Sequence, residues 1–342
     1  MIYTVWGSGG VGGTVGAHLA QAGASVRFVD ADRARVDTIR DRGLTVLTPT
    51  GSIHVSADAF LPTELRAPLG TVLLAVPGWE TQVALGDIAP KLGGDDFVLS
   101  LQNGLADRFV AAAVGEERTV GAFVNLLADH RIPGRIHMGR IDEIRIGELD
   151  GRVSDRVKRV VTDLVAMGDV RASRNVRGFS WGRLGYTAML YATALVDAPA
   201  AETVDRHKEL MVEIAAEIYK VAHAWGVPPE PFNVMNPALY GAPGRRDPEK
   251  VRENLSAVVA WMRRSERTRA DAWRALQSER RRTDVDVEIA MVAEIGQEMR
   301  MATPMIDALV NMIREMEDGR RQVGDENLAQ LDAVRRQGSR EV

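Results

Sequence analysis

The 342-residue chain contains no cysteine. It therefore has no disulfide, no thiolate nucleophile and no cysteine-ligated metal site. Lysine is also scarce, so nearly all positive charge is carried by arginine; the lysines are Lys91, Lys158, Lys208, Lys220 and Lys250. This scarcity bears on catalysis, because arginine stays protonated near neutral pH and is a poor proton donor.

Strong net charge and long apolar runs are missing as well. The formal net charge is −4, which gives no overall basic field for nucleic acid. No apolar run approaches the length of a membrane span, and a core strand already starts at residue 2, which argues against a signal peptide. The histidines show no metal-ligand spacing such as HExxH. We therefore expect a cytoplasmic protein with no metal, no nucleic-acid partner and no membrane partner.

A glycine-rich turn stands between a strand and a helix at the start of the chain. Residues 2–6 predict a buried strand, Val15 and Leu19 lie on the apolar face of a helix, and residues 25–29 predict a second strand that ends at Asp30. The turn between them is Gly7-Ser8-Gly9-Gly10-Val11-Gly12. This order is the Rossmann fingerprint, in which the glycines let the backbone approach a pyrophosphate and the carboxylate accepts from a ribose hydroxyl. The alternative is a glycine turn without a ligand.

The rest of the first half alternates strand and helix, which predicts an α/β domain with a mainly parallel sheet. The further predicted strands are 72–76, 97–101 and 119–125, then 135–137 and 144–147 as an antiparallel extension, with 170–176 as a last strand or a linker. Ligands of such sheets bind beyond the carboxyl ends of the strands. The residues predicted there, besides the glycine turn and Asp30, are Val76, Asn103, Gly104 and Asn125. Asn103-Gly104 is alternatively an ordinary turn.

From Phe179 onward the pattern is helical. The predicted helices are 180–196 with Ser180 as N-cap, 201–225, 248–280, 284–301 and 304–317, with a loop over 228–248. The sequence thus predicts a dinucleotide-binding Rossmann domain over 1–175, an all-helical substrate and dimerisation domain over 176–320, and a polar tail over 321–342 that is frayed or weakly helical.

Four segments resemble the ketopantoate reductase (2-dehydropantoate 2-reductase) family. They are the glycine turn, Gln102-Asn103-Gly104, Trp181-Gly182-Arg183-Leu184-Gly185 and Arg282-Thr283-Asp284-Val285-Asp286, and the resemblance spans about residues 1–318. It implies a Rossmann domain joined to a helical domain of the 6-phosphogluconate dehydrogenase type. It also implies the reduction of a 2-oxo acid to a 2-hydroxy acid by a nicotinamide coenzyme.

The resemblance also implies roles for single residues. Asn103 matches the asparagine that holds coenzyme and substrate, Arg183 matches the lysine that polarises the carbonyl and donates the proton, and Asp284 matches a glutamate that fixes the network. Other positions depart from the family: Thr187 and Tyr191 replace two asparagines, and Ala272 replaces a serine. These departures predict a divergent member whose substrate is not ketopantoate.

Arg183, Thr187 and Tyr191 are spaced i, i+4 and i+8, so they share one helix face that can bind a carboxylate or polarise a carbonyl. The alternative is that Arg183 reaches solvent and Tyr191 is core packing. Asp284 and Asp286 are alternatively helix caps. Asn125, at the end of its predicted strand, is a candidate substrate ligand. His130 just beyond is a general acid if its loop faces the site, and otherwise a solvated loop residue.

Asp30 favours NAD over NADP, because a carboxylate there repels a 2′-phosphate, while Arg33 and Arg35 keep NADP possible. The leading prediction is an NAD(P)-dependent oxidoreductase of a small 2-oxo or 2-hydroxy acid, working as a homodimer. One alternative is an NAD-dependent dehydrogenase acting on a sugar acid or an imine. The other is a nucleotide-binding sensor that has lost catalysis, which the arginine at position 183 motivates.

Overall fold

The computed structural model describes residues 2–265 and 267–338 and divides the chain into two units, Met1–Val176 and Arg177–Val342. The N-terminal unit is an α/β structure around one sheet. Its strands are β1 (Ile2–Trp6), β2 (Ser25–Val29), β3 (Leu44–Thr48), β4 (Gly51–Val55), β5 (Asp58–Phe60), β6 (Thr71–Leu74), β7 (Phe97–Ser100), β8 (Thr119–Ile132), β9 (Arg135–Glu148) and β10 (Val170–Ala172). Its helices are α1 (Gly10–Gln21), α2 (Arg33–Arg42), α3 (Thr81–Ile88), α4 (Asp107–Val114) and α5 (Asp155–Leu164).

The strands lie in the order β4-β3-β9-β8-β7-β6-β1-β2-β5, and β10 pairs with β9. The central strands from β8 to β5 are parallel, whereas β3 with β4 and β8 with β9 are antiparallel. Alternate residues of β1 enter different apolar clusters: Val5 packs with Phe28 on one face, and Trp6 packs with Val29 on the other. Because both faces of the sheet are covered by apolar clusters, the sequences of the central strands are continuously apolar.

The predicted extension differs from the observed one. Residues 119–125, 135–137 and 144–147 were predicted as three short strands, but β8 and β9 are each 14 residues long and form one hairpin. Their pairing contains register shifts, for example between Asn125 and Leu126, and such bulges break the alternation on which a strand prediction depends. Strands β3 to β5 were not predicted, because alternation over three to five residues is a weak signal.

The C-terminal unit is helical. Its helices are α6 (Val176–Ala194, beginning at the last residue of the first unit), α7 (Ala200–Arg206), α8 (Lys208–Ala224), α9 (Pro248–Met262), α10 (Asp271–Trp273, continued by a π-helical turn over Arg274–Glu279), α11 (Ile289–Glu298), α12 (Pro304–Glu317) and α13 (Asp325–Gly338). Within the described residues no helix is long and apolar enough to cross a bilayer, and no three metal-ligating side chains group together.

Three helix predictions need correction. Ser180 lies inside α6 and is not its N-cap, since that helix begins at Val176. The helix predicted over 201–225 is divided at His207, and the one predicted over 248–280 ends at Met262. Periodicity continued across these breaks, so the sequence pattern alone did not reveal them.

The polar tail, predicted as frayed or weakly helical, contains a packed helix in the structure. Residues 325–338 form α13, in which Leu328 and Leu331 are buried. Asn327 is buried as well, and its Nδ2 donates to the backbone oxygen of Leu195 at 3.0 Å. Leu328 and Leu331 in a charged stretch are only a weak sequence indication of an amphipathic helix. In the structure these two side chains anchor α13 to the rest of the C-terminal unit. Residues 339–342 of the predicted tail lie outside the described residues.

A buried glutamate caps α12 from another helix. Glu217 of α8 accepts hydrogen bonds from the backbone N–H groups of Met305 and Ile306, at 3.0 and 2.9 Å to Oε2. The N-cap residue Thr303 makes no side-chain cap of its own. Burial raises the pKa of the Glu217 carboxyl from its ordinary 4.5 to about 7, although the two backbone bonds oppose the shift. Near neutral pH the native state therefore retains a proton that the unfolded chain has already released.

This pKa shift predicts a pH-dependent stability. The contribution of Glu217 is fully present below pH 4.5 and is lost as pH rises through about 7. Glu217→Gln keeps an oxygen acceptor but does not titrate. We expect the free energy of unfolding of the wild type to fall relative to this variant by about 3 kcal/mol between pH 4.5 and 8, measured by urea unfolding. Glu209→Gln, at an exposed position of the same helix, is the control. Parallel stability curves for the wild type and Glu217→Gln would contradict the assignment.

Candidate active site

The glycine turn adopts a conformation that side chains would prevent. Gly7 has φ of +100°, and a Cβ there would lie 2.8 Å from the carbonyl of Ala75. A Cβ on Gly12 would lie 2.1 Å from the backbone oxygen of Gly7, which no L side chain tolerates. These two glycines therefore allow β1, the turn and α1 to pack together as closely as they do.

Gly9 is different, because a Cβ there would meet nothing within 4 Å. Gly9 is the N-cap of α1, and no side chain caps that end of the helix. The first N–H groups of α1, from Gly10 and Val11 onward, and the positive end of the helix dipole are thus available to an anion. Open space beside an uncapped helix start fits the pyrophosphate of a dinucleotide.

Asp30 follows β2 and is buried. Its Oδ2 accepts from the backbone N–H of Ser8 at 2.9 Å and from the Ser8 hydroxyl at 2.7 Å, and its Oδ1 accepts from the N–H of Asp32 at 2.9 Å. Arg35 lies 3.4 Å from the same carboxylate. Asp30 therefore holds the glycine turn in place as well as presenting a carboxylate at the sheet edge. This second role of Asp30 and Ser8 was not evident from the sequence.

The ends of β6 and β7 are joined by Gln102. Its Nε2 donates to the backbone oxygen of Val76 at 2.8 Å and to the hydroxyl of Thr81 at 2.7 Å. Asn103 is exposed in the turn that follows, and Gly104 has φ of +73°. Val76, Asn103 and Gly104 therefore lie at the carboxyl ends of neighbouring parallel strands, where the sequence analysis had expected them.

Asn125 does not end a strand, because β8 continues to Ile132. It stands at a register shift in the β8–β9 pairing, and its Nδ2 is buried with no hydrogen-bond partner among the residues that the structure describes. Asn125 nevertheless lies beyond the carboxyl end of the neighbouring strand β7. The last residue of β7, Ser100, pairs with Gly121 of β8, four residues before Asn125. An unpaired buried amide is costly in a folded protein and marks a candidate ligand contact.

His130 is a half-buried residue of β8 and not a solvated loop residue. Burial lowers the pKa of its imidazole, as does Arg35, while Asp30 and Asp32 oppose the shift. The imidazole is therefore close to the carboxylates that follow β2, on the side where the sequence predicts the ribose. The sequence analysis placed His130 in a loop because it ended the strand at Asn125, whereas β8 continues to Ile132.

In the C-terminal unit, α6 carries Arg183, Thr187 and Tyr191. Arg183 and Thr187 are half-buried and Tyr191 is buried, so Arg183 is not a freely solvated cation. Burial lowers the pKa of the Arg183 guanidinium, while Glu288, Tyr186 and Asp271 act in the opposite direction. Because a guanidinium stays protonated near neutral pH, Arg183 provides a positive charge that can stabilise an oxyanion.

The structure adds Glu288, which the sequence analysis did not single out. It is buried immediately before α11, and its Oε2 accepts from the Tyr191 hydroxyl at 2.7 Å. Burial, with Asp284 second, raises the pKa of the Glu288 carboxyl from 4.5 to about 8, although Tyr191 and Arg183 oppose the shift. The pKa of Tyr191 is raised well above its ordinary value, mainly by burial. A carboxyl group that holds its proton at neutral pH therefore stands beside a fixed cation.

Asp284 and Asp286 do not begin a helix, because α11 starts at Ile289. They lie in a turn anchored through Thr283, whose N–H and hydroxyl both donate to Glu317 of α12, at 2.7 and 2.6 Å. Asp284 is half-buried and interacts electrostatically with Glu288 and Tyr191. Asp286 is exposed and pairs with Arg314 at 2.6 Å. The capping alternative is thus wrong for both residues, and only Asp284 joins the cluster around Glu288.

Comparison with known proteins gives matches over both units. Residues 3–151 match the family model for ketopantoate reductase PanE/ApbA, and residues 175–317 match its C-terminal counterpart. A 2-dehydropantoate 2-reductase from Mesorhizobium japonicum is 23% identical, over 92% of this chain and 98% of that protein.

Solved structures are similar in fold. A PanE/ApbA family ketopantoate reductase from Ralstonia eutropha JMP134 has a TM-score of 0.78 at 22% identity, covering 94% of this chain and 99% of the other. D-mandelate dehydrogenase in ternary complex with NADH and anilino(oxo)acetate has a TM-score of 0.78 at 18% identity, with the same coverage. The Rossmann domain and the helical domain of the 6-phosphogluconate dehydrogenase type, both predicted from the sequence, are thereby confirmed.

Proposed function

Because the chain belongs to the ketopantoate reductase family of oxidoreductases, we propose that it transfers hydride between a nicotinamide coenzyme and a small 2-oxo or 2-hydroxy acid. The observation that carries this proposal is the glycine turn with open space at Gly9, an uncapped helix start and the buried carboxylate of Asp30. The curated relative named 2-dehydropantoate 2-reductase and the structural relative named D-mandelate dehydrogenase support the substrate class.

The N-terminal unit holds the coenzyme in this proposal. The N–H groups at the start of α1 bind the pyrophosphate, Asp30 accepts from the adenosine ribose, and Val76, Asn103 and Gly104 contact the coenzyme at the carboxyl ends of β6 and β7. When bound, the coenzyme supplies or accepts the hydride. Asn103 and Asn125 carry amide groups that can orient a carbonyl or carboxylate, and the unpaired Nδ2 of Asn125 supports that role.

The C-terminal unit provides the groups that act on the substrate. Arg183 polarises the carbonyl and stabilises the developing alkoxide, since its charge is fixed and held in place by burial. Thr187 and Tyr191 lie on the same helix face and offer hydroxyl groups to the substrate or to its neighbours. Asp284 belongs to the polar cluster beside them.

We propose that the substrate is a 2-oxo acid other than ketopantoate. Arginine at position 183, with threonine and tyrosine at 187 and 191, changes the hydrogen-bonding pattern of this helix face. A guanidinium donates in a planar fork that suits a carboxylate, whereas an ammonium is a point charge.

The test is the change in nicotinamide absorbance when purified protein is mixed with NADH or NADPH and a panel of 2-oxo acids that includes ketopantoate. We expect turnover with at least one acid and a weaker or absent reaction with ketopantoate. Coenzyme binding without turnover on the whole panel would contradict the proposal and favour a nucleotide-binding sensor. Turnover only with mixtures of an amine and an oxo acid would indicate that the enzyme reduces an imine instead.

Asp30 predicts a preference for NADH over NADPH. Its carboxylate repels a 2′-phosphate by about 1–4 kcal/mol, which corresponds to roughly tenfold to several hundredfold in affinity. Asp30→Asn removes the charge and leaves Arg35 with Asp32, at 3.5 Å, as its remaining carboxylate partner. We expect the ratio of the NADPH to the NADH dissociation constant to fall by at least about tenfold in this variant. Asp37→Asn, which neutralises a half-exposed carboxylate of α2 that pairs with Arg40, is the matched control. An unchanged ratio in Asp30→Asn would contradict this assignment.

A further inference from the structure

Arginine at position 183 leaves the proposed reaction without an evident proton donor. Reduction of a carbonyl needs a proton on oxygen, and a guanidinium does not release one near neutral pH. The lysines of the C-terminal unit do not replace it: Lys208 and Lys250 are paired with Asp205 and Asp247, and Lys220 is exposed. The hydroxyl of Tyr191 is a poor acid for the same purpose, because burial and Glu288 raise its pKa.

Glu288 lies beside Arg183, the residue proposed above to polarise the carbonyl. It is 7% exposed, it is bonded to Tyr191 of α6 at 2.7 Å, and it is close enough to Arg183 for each to shift the pKa of the other. Its neighbours from every side are Tyr191 and Arg183 on α6, Asp284 in its own segment, and Asp271 on α10. Two of these neighbours are carboxylates, which disfavours ionisation of a third carboxyl group.

We propose that Glu288 is the general acid and base of the reaction and that Tyr191 holds its carboxyl group in position. The inference rests on the function proposed above. When the Tyr191 hydroxyl donates to Oε2, Oε1 is the carboxyl oxygen left to carry the transferable proton. The raised pKa of the Glu288 carboxyl, at about 8, keeps that proton in place at neutral pH and makes it transferable.

The reduction needs no reagent besides the coenzyme hydride, the Glu288 proton and a solvent proton that restores Glu288. The carbonyl carbon gains the hydride with its electron pair, and the π electrons of the C=O bond move onto oxygen. That oxygen takes the proton from Oε1, the O–H bond of the carboxyl group breaks, and Glu288 becomes a carboxylate. Arg183 stays protonated and stabilises first the alkoxide and then the carboxylate. A solvent proton restores Glu288, and in the oxidation direction the carboxylate receives the proton of the alcohol.

The proposal predicts a specific pH profile. In the reduction direction kcat should fall as pH rises through about 8, and in the oxidation direction it should rise over the same range. Glu288→Gln should lower kcat by about 10²–10⁴-fold and remove the change of kcat around pH 8, which we call the alkaline limb. The dissociation constant for the coenzyme should stay unchanged. Tyr191→Phe should keep the limb but shift its midpoint upward, because the Tyr191 hydrogen bond stabilises the carboxylate. Glu294→Gln, at an exposed position of α11, is the matched control.

A second measurement does not depend on turnover. The infrared difference spectrum between the coenzyme-free wild type and Glu288→Gln should show, at pH 6, the carbonyl stretch of one protonated carboxyl group, which is lost as pH rises through about 8. The protonated carboxyl of Glu217 is present in both proteins and cancels in the difference. A wild type that turns over, with Glu288→Gln keeping kcat and the pH limb, would overturn the assignment of Glu288 alone. A wild type that binds coenzyme but reduces no acid of the panel would overturn the proposed function itself, and this inference with it.

Discussion

Arg183→Met is expected to lower kcat for the best 2-oxo acid by about 10²–10³-fold, the usual cost of removing one oxyanion-stabilising donor. The guanidinium is half-buried on α6 among Glu288, Tyr186 and Asp271, so its charge is poorly screened by water. Methionine is similar in length and apolar, which limits the loss of packing. The loss should therefore appear in steady-state kcat, and the unfolding midpoint should change little.

Arg183→Met should also change the pH dependence of kcat. Arg183 lowers the pKa of the Glu288 carboxyl, so its removal should move the alkaline limb of the reduction profile to a higher pH. Arg183→Lys retains the charge but not the planar fork, and gain of ketopantoate reduction in that variant would indicate a recently drifted reductase. Arg177→Met on the same helix, where the arginine packs over the ring of Trp225, is the control. Arg183→Met with wild-type kcat would exclude a role for this residue in the chemical step.

Gly9→Ala and Gly12→Ala are expected to fail in different ways, although the residues are only three positions apart. A methyl group on Gly12 would lie 2.1 Å from the backbone oxygen of Gly7, so β1 and α1 must separate to accommodate it. We expect a loss of stability of about 1–3 kcal/mol or more, the range for overpacked sites, with coenzyme binding lost as a consequence. A methyl group on Gly9 meets no protein atom and should leave the unfolding transition unchanged.

Gly9→Ala should nevertheless weaken coenzyme binding by at least about tenfold, or about 1.4 kcal/mol, because the methyl group enters the space proposed for the pyrophosphate. The dissociation constant from coenzyme fluorescence and the urea midpoint separate the two effects. Gly23→Ala is unsuitable as a control because its φ is +88°, so Gly86→Ala on α3, also without a neighbour within 4 Å, serves instead. Wild-type coenzyme affinity in Gly9→Ala would show that the pyrophosphate does not approach this turn.

The candidate coenzyme site of the N-terminal unit could be predicted from the sequence because its information is local. The glycine turn, the strand before it and Asp30 lie within thirty residues, and each has one structural reason to be there. The limits of that reasoning also follow from locality. The bonds from Ser8 to Asp30 and the approach of His130 to that carboxylate depend on neighbouring strands, and no spacing in the sequence encodes them.

The polar cluster around Glu288 in the C-terminal unit was harder to predict for the same reason. The i, i+4, i+8 spacing correctly placed Arg183, Thr187 and Tyr191 on one helix, but Glu288 is 97 residues from its partner Tyr191. Resemblance drew attention to Asp284, four residues earlier, and the start of α11 was placed too early, which made Glu288 an ordinary helix residue. Acidic and apolar residues alternate from Asp284 to Ile289, so nothing in the sequence distinguishes the buried Glu288 from the exposed Asp286.

The long hairpin of β8 and β9 constrains how the N-terminal unit can form during synthesis. Strand β9 pairs with β3, some ninety residues earlier, and the backbone of Ala128 in β8 lies against Gly10 at the start of α1. A nascent chain of about 115 residues already contains the whole glycine turn and Asp30, yet it lacks the strands that cover them. Such high sequence separation slows folding, since loop closure must precede the contacts that compensate for it. The motif that is easiest to recognise in the sequence is therefore among the last parts of the unit to become a finished binding surface.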